Sequence, residues 1–131
     1  MIKSSAPTRI DLAGGTLDIW PLHLFFDNPP TLNAAIDLYA TVELTPRKDK
    51  RIVLRSLDLK LEDSFSSLNV LPDNHPLQLL TRTVKFYAPK SGLEISTNCQ
   101  APQGSGIGGS SALNIALHSA LNKFTGAKFN K

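Results

Sequence analysis

Between Ala101 and Ala112 the chain reads APQGSGIGGSSA, with four glycines in the six residues 104–109 and serines at 105, 110 and 111. Without Cβ atoms, backbone N–H groups in such a stretch can approach a ligand closely. A helical pattern follows at once, with Leu113, Ala116, Leu117, Ala120, Leu121 and Phe124 on one face and Gly126 closing it. The free N–H groups and positive dipole end of a helix N-terminus favour an anion. Ser110 and Ser111 can cap the helix, or offer hydroxyls to a phosphate or a metal. The chemistry this predicts is a phosphate cradle built from Gly104, Ser105, Gly106, Ile107, Gly108, Gly109, Ser110 and Ser111. The alternative is a glycine turn with a serine N-cap and no ligand.

Three known loop templates fail here. Gly104, Gly106 and Gly109 fit G-x-G-x-x-G, but a dinucleotide site also needs an acid about 20 residues on. No Asp or Glu follows Glu94. Gly104 and Gly109 have P-loop spacing, yet Ser110 stands where the phosphate-binding lysine belongs. Gly108, Ser110 and Ala112 imitate a nucleophile elbow, whose triad again needs a downstream acid. His118, two turns into the helix, reads as a surface or partly buried helix residue.

A second stretch, Ala6 to Pro21, reads APTRIDLAGGTLDIWP. A strand would carry Arg9 and Asp11, and a Gly14-Gly15 turn would present Thr16 and Asp18. Asp18 suits acceptance from two hydroxyls of a polyol. Arg9 suits charge stabilisation beside a phosphoryl group.

The elements that must position these groups are legible in outline. Residues 2–13 alternate as a strand, residues 26–31 are a loop around Asn28-Pro29-Pro30, and residues 32–44 form a strand ending at Pro46. The cluster Arg47 to Arg51 is a solvated turn, and Ile52 to Leu57 reads as the return strand of a hairpin. Leu57, Leu59 and Leu61 suggest a further edge strand. Pro76 opens a helix with Leu77, Leu80, Val84 and Tyr87 on one face, stopped by Pro89 and Gly92. Leu93 to Thr97 is a short strand. Strand, hairpin, helix, strand, glycine loop, helix is an α+β order.

Composition narrows the class. A chain of 131 residues suffices for one domain. Its 41% apolar and 19% charged residues are those of a globular chain, not a disordered one. One cysteine, Cys99, excludes an internal disulfide framework and a Cys-based zinc site. No run of about 18 apolar residues spans a membrane. The start, MIKSSAPTR, lacks a secretory signal, so a cytoplasmic address is the default. The net charge of +3 comes wholly from Lys123, Lys128 and Lys131, because the charges of residues 1–94 balance. That balance argues against a nucleic-acid partner.

The two motifs together resemble those of the GHMP small-molecule kinases: galactokinase, homoserine kinase, mevalonate kinase and phosphomevalonate kinase. APTRIDLAGGTLDIWP is similar to that family's first motif, and APQGSGIGGSSAL to its second. The strand NAAIDLYATVEL at 33–44 also resembles the family's. The Gly-Gly-Thr-x-Asp wording is nearest the bacterial heptose and fucose kinase branch. The resemblance implies a two-layer domain of sheet and helices, like that of ribosomal proteins, and an enzyme passing the γ-phosphoryl of ATP to a sugar hydroxyl. It implies that the loop amides hold the ATP phosphates and that Ser110 meets the β-phosphate and Mg²⁺, with Ser111 one residue off that register. It implies substrate contacts from Asp18 and Thr16 and a catalytic charge from Arg9. Gly15-Thr16 replaces galactokinase's Glu-His, which counts against galactose.

Complete members of that family are more than twice as long. In galactokinase and mevalonate kinase the catalytic aspartate and a third motif lie beyond the second. The chain is therefore expected to be the first part of an N-terminal domain, with an unfinished sheet edge near Lys131 open to association, and to turn over little by itself. A phosphate-binding or partner-docking module without chemistry is the rival expectation.

Overall fold

The computed structural model describes residues 1–127 apart from Thr16, Asp18 and Asn28. Five strands, β1 (Ile2–Ala13), β2 (Leu32–Pro46), β3 (Ile52–Ser56), β4 (Leu61–Phe65) and β5 (Leu93–Cys99), form one sheet in the order β1-β2-β5-β3-β4. Among the described residues three α-helices accompany them, α1 (Leu22–Phe25), α2 (Gln78–Tyr87) and α3 (Gly109–Thr125), with a 3-10 turn at Leu68–Val70.

Burial alternates along the strands because the helices cover one face only. Val42 and Leu44 of β2, Ile52 and Leu54 of β3, and Leu93 and Ile95 of β5 point into the core. The stripe Ala112, Ala116 and Ala120 on α3 is buried in the same core as Ala6 of β1 and Ala40 of β2. Small side chains at four-residue intervals let the helix backbone come close to the sheet. Leu80 and Val84 of α2 and Leu117 and Leu121 of α3 complete the core. Tyr87 Oη–H donates to the His118 carbonyl at 3.2 Å and lies 3.1 Å from His118 Nδ1, so His118 ties α3 to α2. It does not line the cavity described below. Burial pushes the Tyr87 phenol pKa up.

The α+β, two-layer expectation holds, with one correction to its topology. β3 does not return along β2; β5 lies between them, antiparallel to β2 and parallel to β3. The turn at 47–51 steps over the start of β5. Arg47 N–H donates to the Gly92 carbonyl, Gly92 N–H to the Asp49 carbonyl and Leu93 N–H to the Arg51 carbonyl, at 2.8–3.0 Å. Alternation in the sequence fixes which face a strand buries but not which strand it pairs with. An edge strand is present as β4, but it starts at Leu61; Leu57 and Leu59, whose alternation suggested it, lie in the turn before it. Pro7 is tolerated in β1 because that strand is the opposite edge. The expected edge near Lys131 lies outside the described residues.

The open face of the sheet carries ion pairs: Arg55 with Glu62 and Glu94, and Arg47 with Asp49 and Glu94. The hydrogen bond from Arg47 lowers the Asp49 pKa, and that from Arg55 lowers Glu62. Asp73 is lowered by Lys85, and Asp63 first by the Ser64 N–H and then by His75. A carboxylate with a depressed folded pKa stabilises the fold above its unfolded value and loses that contribution as pH falls through the folded value. The melting temperature is therefore expected to be level near neutral pH and to fall below about pH 4.5. Because the pairs are exposed, the low-salt profile should flatten in high salt. Thermal melts across pH at two salt concentrations check this.

Candidate functional site: the loop before the last helix

The loop from Gln100 to Gly108 leaves the end of β5 and is pinned at both ends. At its start Gln100 N–H donates to the Tyr39 carbonyl at 3.0 Å, and Tyr39 N–H donates to Gln100 Oε1 at 2.7 Å. At its far end Arg9 N–H of β1 donates to the Ile107 carbonyl at 3.1 Å. The loop thus crosses from the end of β5 over the middle of β2, at Tyr39, to β1.

Between these anchors φ is positive at Gly104 (+76°), Gly106 (+72°) and Gly108 (+74°), while Ser105 and Ile107 keep negative φ. Alternation of hand turns successive N–H groups toward a common side, forming an anion-binding nest. Ser105 N–H bonds inward to the Pro102 carbonyl. The first amide bonded back within the helix is that of Ala112, to the Gly108 carbonyl at 2.9 Å. Among the described residues, the N–H groups from Gly106 to Ser111 have no acceptor.

A cavity of about 660 Å³ opens in front of them. Arg9, Gly104, Ser105, Gly106, Gly108, Gly109, Ser110 and Ser111 line it. Ile107 does not: its side chain is half-buried and its carbonyl is held by Arg9, so its role is to fasten the loop. The Arg9 guanidinium is half-exposed and lies 3.4 Å from Asp11, Nε to Oδ1. Gly109 sits so tightly that a Cβ there would stand 3.1 Å from both the Ala101 Cβ and the Cys99 Sγ. Thr16 and Asp18 lie outside the described residues.

Of the two readings of the serines, the cap is not formed. Gly108 is the N-cap residue of α3 and no side chain caps the helix. Ser110 and Ser111 instead occupy the exposed first turn on the cavity wall, with hydroxyls unspent on capping. A hydroxyl beside a ring of amide donors suits a phosphate-bound Mg²⁺, which takes few protein ligands and keeps waters and phosphate oxygens. Among the described residues no trio of His, Cys, Asp or Glu gathers as a metal site.

Part of the cavity was not foreseen from the sequence. Ser56 at the end of β3, Asp58 after it, the segment from Pro76 to Leu80 that leads into α2, and Thr97 of β5 form its other half. β3 and β5 are parallel neighbours, so Ser56, paired with Thr97, reaches the same end of the sheet as the glycine loop. The parallel pairing was the missing signal. From Arg9 on β1 to Asp58 beyond β3 the cavity spans three strand spacings, roughly 14 Å. That is an elongated site, longer than one phosphate.

Comparison with known proteins agrees with this geometry. Residues 75–131 match the family described as GHMP kinases N terminal domain. The chain is 32% identical over 127 residues to D-glycero-alpha-D-manno-heptose 7-phosphate kinase of Campylobacter jejuni, covering 92% of this chain and 37% of that protein. It is 28% identical over 124 residues to a mevalonate kinase of Methanothermobacter thermautotrophicus, covering 95% of this chain and 37% of that protein. A crystal structure of a D-glycero-D-manno-heptose 1-phosphate kinase from Bacteroides thetaiotaomicron superposes with a TM-score of 0.86 at 27% identity, covering 99% of this chain and 44% of that one. The chain is similar to GHMP kinases, over residues 75–131 by the family model and over nearly its whole length by these relatives, and it has the α+β fold of their N-terminal domain. It spans about two-fifths of the length of these relatives. Among the described residues no helix is long and apolar enough to cross a membrane.

If Ser110 rather than Ser111 meets the metal, Ser110→Ala should raise the Mg²⁺ concentration needed for half-maximal ATP binding by about tenfold, because the metal loses a protein oxygen ligand. Ser111→Ala should change it by less than threefold. Titrating Mg²⁺ at fixed ATP compares the two.

Proposed function

We propose that the chain is the nucleotide-binding part of an ATP-dependent kinase with a sugar hydroxyl as phosphoryl acceptor. One observation carries the reading: three left-handed glycines, alternating with residues of negative φ, lead into a helix N-terminus whose open amides, with Arg9, face an elongated cavity. In this reading the amides from Gly106 to Ser111 take the β- and γ-phosphates, and Ser110 holds Mg²⁺. The metal, when bound, neutralises charge on the transferring phosphoryl group. Arg9 is the catalytic cation, placed where negative charge grows between donor and acceptor. Asp18 and Thr16 orient the acceptor through its hydroxyls. The sugar assignment leans on the Gly-Gly-Thr-x-Asp segment and on the similarity to heptose phosphate kinases. A cytoplasmic site of action agrees with its use of ATP.

The rival, a nucleotide-binding module without chemistry, has one observation in its favour. Among the described lining residues the only carboxylate is Asp58, on the side away from Arg9. Titration with MgATP, followed by assay of phosphoryl transfer to heptoses, fucose and mevalonate, separates the readings. Micromolar to millimolar MgATP binding with transfer at or near the blank is expected of this 131-residue chain. Transfer well above the blank would show that the 131-residue chain suffices for chemistry, and absence of binding would remove the nucleotide reading.

A further inference from the structure

His75 does not line the cavity, yet the segment that follows it, Pro76 to Leu80, forms one wall. Pro76 has no N–H, so Leu77 N–H is the first main-chain donor on the approach to α2. Leu77 is the N-cap residue of that helix and is buried. Its carbonyl accepts the first bond of the helix, from Thr81 N–H at 3.0 Å. A buried N–H without an acceptor is costly. Here the acceptor is a side chain: Leu77 N–H donates to His75 Nδ1 at 3.0 Å. The bond reaches two residues along the chain, as in an Asx turn.

An imidazole nitrogen that accepts carries no proton, so the ring proton sits on the other nitrogen. Nε2 lies 3.1 Å from Asp63 Oδ2 of β4 and donates to it. Phe65 of β4 packs edge-on against the ring, with centroids 5.6 Å apart. The His75 side chain is only 14% exposed. The edge strand thus holds the imidazole, which presents one lone pair to the start of α2. We infer that His75 is a positioning residue for the nucleotide site: by accepting from Leu77 N–H it sets where α2 begins, and with it the wall that a bound nucleotide meets. The inference rests on the nucleotide reading above. Without the Nδ1 acceptor the Leu77 peptide must turn to another partner, and Pro76 and Gln78 move with it. Without the Nε2 donor the link to β4 is lost while the bond to Leu77 can persist.

Two variants separate these bonds. In His75→Asn the side-chain oxygen lies as many bonds from Cβ as Nδ1 does and can accept from Leu77 N–H, while the link to Asp63 is lost. In His75→Gln the side-chain nitrogen lies as many bonds from Cβ as Nε2 does and can donate to Asp63, while the acceptor for Leu77 is lost. The test is titration of the wild type and both variants with MgATP, with a thermal melt of each. His75→Asn should bind within about twofold of the wild type. His75→Gln should bind about tenfold more weakly, because a buried donor is left unsatisfied. Equal losses in the two variants, or affinities that follow the melting temperatures, overturn this inference and leave the nucleotide reading standing. ¹⁵N NMR of the wild-type ring near neutral pH needs no variant. A proton on Nε2 and none on Nδ1 supports the inference, and a proton on Nδ1 overturns it. Failure of the wild type to bind MgATP overturns both readings.

Discussion

Replacing Gly106 and Gly108 together by alanine should weaken MgATP binding by about 100-fold or more while leaving the chain folded. Both residues have positive φ, where an L residue costs roughly 1–2 kcal/mol. The surroundings do not oppose the added atoms. A Cβ at Gly106 would meet nothing within 4 Å, and one at Gly108 would make ordinary contact with the Arg9 Cγ at 3.6 Å. The cost to the fold is thus backbone strain in an exposed loop that contributes nothing to the core. The loop can relieve that strain only by turning its peptides, which disperses the converging amides. Losing two hydrogen bonds to a charged phosphate costs about 3–6 kcal/mol, two orders of magnitude or more in affinity. A titration paired with a thermal melt reads both effects, and unchanged affinity in a folded variant would contradict the nest.

Gly92→Ala should do the reverse and strike stability. Gly92 has no positive φ, so its freedom is not the reason for glycine there. A Cβ would stand 2.4 Å from the Arg51 carbonyl oxygen and 2.5 Å from that of Asp49, both backbone atoms of the turn that crosses β5. Neither can yield without breaking the three hydrogen bonds that lock the turn to β5. The expected loss is about 3 kcal/mol, the upper end for an overpacked site, or a melting temperature lower by roughly 10 °C. Gly104→Ala is the comparison: a Cβ there meets nothing within 4 Å, so its only cost is backbone strain at φ +76°, roughly 1–2 kcal/mol and smaller than the loss at Gly92. Equal melting temperatures for Gly92→Ala and the wild type would contradict the packing of that turn.

Gly92 also marks where the sequence stops being readable. Its place after Pro89 is enough to end a helix, and the sequence alone assigned it that duty. Its second duty, clearing a path for the 47–51 turn, depends on β5 entering between β2 and β3. No local pattern reports that insertion, since a buried strand alternates alike beside any neighbour. The same blind spot concealed half the cavity, because Ser56 and Asp58 come to the site only through the parallel pairing of β3 with β5. The loop half was legible for the opposite reason. Closely spaced glycines before a helical pattern state a backbone geometry, and the structure places positive φ at three of them. The serines were ambiguous between cap and ligand, and Gly108 took the cap because its left-handed backbone already closes the helix start.

The central claim is that a triphosphate rests on the main chain between Gly106 and Ser111. Its most direct measurement is a two-dimensional NMR titration of the ¹⁵N-labelled chain with MgATP, followed by adenosine alone. The account predicts large, saturable shifts of the Gly106, Gly108, Gly109, Ser110 and Ser111 amides with MgATP, and little change there with adenosine. MgATP that bound while leaving those amides unmoved would contradict it.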